Sequence, residues 1–224
     1  MIIEARYNGP EESGNGGWTA GTVARELGAP GGAVVTLRFP PPLATAMSVS
    51  REDGAVRVYA PDGTLVADGA PTTVDPVTDL APPVSYADAV AAAPSYSGLV
   101  AHPFPTCFVC GPDRAEGDGL RLFAGRLGEG HTAAAWRVPD EVSDVMAWAC
   151  LDCPGGWTVG IEARPFVLGR MAARVDRVPE PGEECVIVGR LLDAEGRKAY
   201  TVTALYGDSP TPYAYARSTW IAIG

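Results

Sequence analysis

The chain has 224 residues, enough for two domains of about 100 residues each or one large one. Its formal net charge of −10 repels phosphate backbones, so no nucleic-acid partner is expected. No apolar run approaches the roughly 18 residues of a membrane span, and Met1-Ile2-Ile3-Glu4-Ala5-Arg6 lacks the basic and apolar regions of a secretory signal, so neither membrane nor export is expected.

Glycine (27) and proline (21) are abundant, which predicts many turns and a β-rich chain. After a loop over 7–15, apolar Val23, Ala24 and Leu27 fall at helical spacing, and Gly28 ends the helix predicted over 17–27. Strands are predicted at 33–39, 46–50, 55–59 and 65–68, with Asp53-Gly54 and Asp62-Gly63 as tight turns. Seven prolines between 71 and 105 read as an extended connector with one short helix near 86–93. This divides the chain into 1–70, a linker over 71–105, and 106–224. The second part opens with a predicted hairpin (120–126 and 132–138), passes through a helical region, and closes with strands at 166–178, 184–193, 198–206 and 213–223.

One segment occurs twice. Gly16-Gly17-Trp18-Thr19-Ala20-Gly21-Thr22-Val23-Ala24-Arg25 returns as Gly155-Gly156-Trp157-Thr158-Val159-Gly160-Ile161-Glu162-Ala163-Arg164, with seven of ten positions identical. A helix followed by several antiparallel strands in each half predicts an α+β chain built from one unit used twice, the two copies sharing a sheet.

The doubled unit resembles the hotdog fold in its tandem form, as in type II acyl-CoA thioesterases. Ser13-Gly14-Asn15-Gly16-Gly17-Trp18 looks like the Gly-Gly step that opens the first helix there. Cys107-Phe108-Val109-Cys110-Gly111-Pro112, followed by Gly117-Asp118-Gly119-Leu120-Arg121-Leu122, resembles the opening of small phenylacetate-type hotdog thioesterases. Trp148-Ala149-Cys150-Leu151-Asp152 resembles the helical Leu-x-Asp segment that carries their catalytic carboxylate. The histidine that often precedes Gly-Gly in single-copy relatives is Asn15 in the first half and Pro154 in the second, and Ala24 stands where a carboxylate would fall in the first helix. The resemblance therefore implies one active site, with the carboxylate of the second copy facing the Gly-Gly of the first. Two registers remain open for the second helix, one starting near Gly156 and one running through 146–152; both leave Asp152 at a helix end.

Thioester hydrolysis needs a polarised carbonyl and an activated water. Gly17 and Trp18 offer backbone N–H groups at a helix N-terminus, where they are unsatisfied and carry the positive dipole end; the plain alternative is that the glycines ease entry into the helix. Asp152 is the expected general base or nucleophile, or else a capping residue. Glu162 is the fallback carboxylate. Asn15 and Ser13 are placed to hydrogen-bond the thioester or a water, Thr158 to orient water, and Gly16, Gly156 and Trp157 to line the acyl site. Trp18 and Trp157 otherwise read as paired core residues. Arg164, Arg170, Arg174 and Arg177 either meet coenzyme A phosphates or form a solvated face.

Cys107-x2-Cys110 and Cys150-x2-Cys153 have the spacing of a structural zinc site. The first pair lies in the hotdog-like opening and the second around a helix end, so no metal and no cofactor is expected. Five cysteines without an export signal fit a reducing cytoplasm. His102 and His131 read as structural or exposed, which argues against a histidine-dependent dehydratase. The expected partner is an acyl-CoA or related acyl thioester, bound and cleaved or bound only, by a monomer or a homodimer.

Overall fold

The computed structural model describes residues 1–29, 31–74, 79–128 and 130–223. Helix α1 spans Gly16–Leu27, capped by the Asn15 side chain accepting from Trp18 N (2.8 Å) and ended by Gly28 at φ 59°. Strands β1 (Ala33–Leu37), β2 (Ser48–Glu52), β3 (Ala55–Tyr59) and β4 (Leu65–Pro71) follow. Helix α2 (Tyr86–Ala92) interrupts the connector, whose Pro76 lies outside the described residues. The second part contains β5 (Gly125–Gly128), β6 (His131–Arg137), α3 (Asp144–Cys150), α4 (Cys153–Gly156), β7 (Phe166–Val175), β8 (Glu184–Glu195), β9 (Lys198–Tyr206) and β10 (Ala214–Ala222).

The ten strands among the described residues join one sheet in the order β2-β3-β4-β1-β7-β10-β9-β8-β6-β5, every neighbouring pair antiparallel. The order mirrors about β1–β7 over four strands on each side, and β6 and β5 extend it beyond β8. On each side the first strand after the helix lies at the seam, followed outward by the fourth, third and second. Val35 pairs with Met171 across the seam, and both are fully buried. The fold is a double hotdog.

Helices α1 and α3 pack against each other on the sheet face that holds the larger core. Their close approach is a property of two glycines one turn apart. A Cβ on Gly21 would lie 2.7 Å from Trp148 Cβ, and one on Gly17 would lie 2.6 Å from Asp152 Cβ. The connector covers part of the opposite face, where Tyr206 Oη donates to Ala81 O (2.8 Å) and Tyr215 Oη to Val74 O (2.9 Å).

Three expectations change. The hairpin strand expected over 120–126 is β5 at Gly125–Gly128; 120–124 is irregular and instead ties to the preceding turn through Leu120 N→Phe108 O and Leu122 N→Val109 O (2.8 Å each). The second Gly-Gly-Trp does not open a helix. Gly155 and Gly156 close α4, and Trp157–Val159 is a 3-10 turn. Of the two registers for the second helix, the one through 146–152 is met by α3, which ends at Cys150, and the separate turn that follows begins at Cys153 and not near Gly156. Pro154 sits in that first turn, where its missing N–H costs no bond.

Candidate functional site

The N-terminus of α1 points at the break between α3 and α4. Gly17 N donates to Asp152 Oδ2 (2.8 Å), and Asn15 Nδ2 donates to the same oxygen (3.0 Å). Asn15 thus has two tasks: its Oδ1 caps α1 on Trp18 N while its amide nitrogen holds Asp152. Asp152 is 3% exposed, and its Oδ1 has no hydrogen-bond partner among the described residues. The local sequence explains the placement. The chain turns at Asp152, and Gly17 offers no side chain to hold the carboxylate away from the helix terminus.

Burial raises the Asp152 carboxyl to about 7, helped by the charge of Cys107, while the Gly17 N–H and Asn15 oppose the rise. The positive end of the α1 dipole also favours the anion. Such a carboxyl exchanges protons near neutrality, as base chemistry requires.

The remaining candidates are spread more widely. Gly16 borders the same place, a Cβ there lying 3.4 Å from Asp152 Oδ2 and 2.7 Å from Leu168 Cβ. Trp18 is half-buried and stacks on Tyr7 with ring centroids 3.6 Å apart. Ser13 is buried in a bridge to Pro42. Gly156 packs toward Trp220 and Ile161. Trp157 meets Tyr96 (4.6 Å) and His102 (4.9 Å) edge to face, so the two repeated tryptophans have unlike surroundings. Thr158 Oγ1 donates to Gly155 O (2.7 Å), and Glu162 pairs with Arg126. Arg164 donates to Gly196 O, Arg170 to Thr36, Arg174 pairs with Asp176, and Arg177 lies over the Tyr213 ring. His131 opens β6.

At the opposite end of the helix pair, the last turn of α1 meets the first turn of α3. A cleft of about 400 Å³ is lined there by Ala24, Arg25, Gly28, Asp144, Trp148 and Arg177, among others. Arg25 pairs with Asp144 at 2.6 Å, both about half exposed. Sequence reasoning did not single out this cleft. Its residues come together where α1 and α3 meet β1 and β7.

Solved structures of hotdog proteins superpose on nearly the whole chain. A conserved protein of unknown function with hot dog fold from Alicyclobacillus acidocaldarius matches with a TM-score of 0.65 at 13% identity, over 99% of this chain and 91% of that one. A presumed thioesterase from Novosphingobium aromaticivorans matches at 0.63 and 16% identity, over 100% and 94%. A tesB protein from Mycobacterium avium subs paratuberculosis matches at 0.59 and 10%, over 96% and 89%. At these identities the likeness is one of fold. No protein-family model matches the sequence, and no curated protein matches it. No helix among the described residues is long and apolar enough to cross a membrane.

Proposed function

We propose that the chain hydrolyses a small-molecule acyl thioester, an acyl-CoA, where Asp152 meets the N-terminus of α1. One observation carries the reading: an enclosed carboxylate has one oxygen on the helix terminus and the other without a protein partner among the described residues. In this reading the thioester oxygen takes the Gly17 N–H in place of Oδ2, with the Trp18 N–H beside it. A water attacks the carbonyl carbon and gives its proton to Asp152. The C–S bond then breaks, and the proton passes to the leaving thiolate, so acid and thiol depart together. Asn15 orients the carboxylate. The two hotdog repeats are taken as 1–70 and 106–224, joined by 71–105, and the working compartment as a reducing cytoplasm.

A second reading, acyl-thioester binding without cleavage, has its own support. The Gly17 and Trp18 N–H groups are already bonded to Asp152 and Asn15, and Asp152 is almost closed to solvent. Thiol release and equilibrium binding, measured with a panel of acyl-CoAs for wild type and Asp152→Asn, separate the two. Turnover lost in the variant with binding kept supports hydrolysis at Asp152. Equal turnover in both moves the chemistry elsewhere, and binding without turnover in the wild type favours the second reading.

A further inference from the structure

Three cysteine thiols converge beside Asn15 from two parts of the chain. Cys107 and Cys110 sit on a tight turn, and Cys153 is the first residue of α4. Their Sγ atoms all lie within 4.8 Å of one another, with Cys107 and Cys153 3.8 Å apart. Four-coordinate Zn2+ with sulfur at about 2.3 Å places two ligand sulfurs about 3.8 Å from each other. All three residues are buried.

The backbone holds this turn in one shape. Gly111 N donates to Cys107 O (2.8 Å), and a Cβ on Gly111 would lie 2.6 Å from Cys107 N, so the turn accepts no side chain there. Phe108 N is fixed to Asn8 O (2.8 Å). Donors surround the sulfurs: Asn15 Nδ2 lies 3.9 Å from both Cys107 Sγ and Cys153 Sγ, and His102 Nε2 lies 3.4 Å from Cys110 Sγ. His102 Nδ1 accepts from Phe104 N (2.9 Å), which leaves the ring proton on Nε2, facing sulfur. N–H donors aimed at thiolates are the outer support of metal–thiolate sites.

We infer that Cys107, Cys110 and Cys153 bind one thiophilic divalent cation of the Zn2+ class. The chain supplies three thiolates, and His102 and Asn15 are hydrogen-bond donors to them. Binding releases to solvent the protons that the thiols still carry, with no change of oxidation state. Cys150, which the CxxC spacing pairs with Cys153, belongs elsewhere: it is buried on α3 beside Cys185. Asn15 borders both places, since the same amide nitrogen holds Asp152, but none of the three sulfurs takes part in the proposed hydrolysis.

Co2+ titration of the reduced, chelator-stripped full chain under anaerobic conditions tests it. One Co2+ per chain is expected, with sulfur-to-cobalt charge-transfer absorption in the near ultraviolet, and Zn2+ should displace it. Cys107→Ser, Cys110→Ser and Cys153→Ser should each weaken that absorption, whereas Cys150→Ser and Cys185→Ser should leave it unchanged. Saturation without charge transfer in the wild type overturns the inference whatever the variants do. So does charge transfer that survives the triple serine variant or is lost equally in Cys150→Ser. Failure of Zn2+ to protect the three thiols from oxidation to a disulfide would mark them as a redox cluster and sink the metal assignment.

Discussion

The two ends of the α1–α3 pair are built from the same crossing and have become different places. At one end the start of α1 presses Gly17 against Asp152, and the carboxylate is sealed in. At the other, the end of α1 leaves Arg25 and Asp144 paired in an open cleft. Position within the fold therefore does not decide chemistry. What differs is the residue at each corner: an aspartate at a chain break on one side, and Ala24 on the other.

Asp152→Asn should cut thiol release by about 100- to 10,000-fold, the range of a lost general base, while Arg25→Ala leaves it within a few-fold. If Arg25→Ala or Asp144→Ala costs as much as Asp152→Asn, the open end is the reactive one. Gly21→Ala strikes the crossing itself and should lower stability by about 1–3 kcal/mol in denaturant unfolding, because helix and Trp148 must both give way. Unchanged stability would show that the helices separate freely. Asn15→Ala removes a cap and should cost about 1 kcal/mol, together with part of the turnover through a loosened Asp152. A loss of stability with full turnover would make Asn15 a cap and nothing more. Arg25→Ala, which breaks an exposed pair, should shift stability by about 1 kcal/mol or less.

Much of the sheet was legible because its strands alternate and its turns carry Asp-Gly or Gly. The strands expected at 55–59 and 198–206 have those limits in the structure. The meeting of Asp152 with Gly17 was anticipated through the resemblance, not through local pattern, since the two lie 135 residues apart. The repeated Gly-Gly-Trp misled because identical letters serve different contacts. Gly17 admits a neighbouring helix, whereas its counterpart Gly156 faces the ring of Trp220 on β10, where a Cβ would meet Cη2 at 2.6 Å. The sequence reads His102 only as structural or exposed, because nothing local reports a turn that carries Cys110 back to it.

The seam at β1–β7 has a consequence for synthesis. When β1 to β4 have left the ribosome, the edge destined for β7 is bare, and the residue that will face Val35, Met171, is not yet made. The connector waits longer still, since Val74 receives its bond from Tyr215, 141 residues downstream. Closure of such distant pairs is slow, and an open strand edge invites pairing with other chains in the interval. The first half of this molecule is thus born incomplete, and how safely it waits for the second should govern the yield of folded protein.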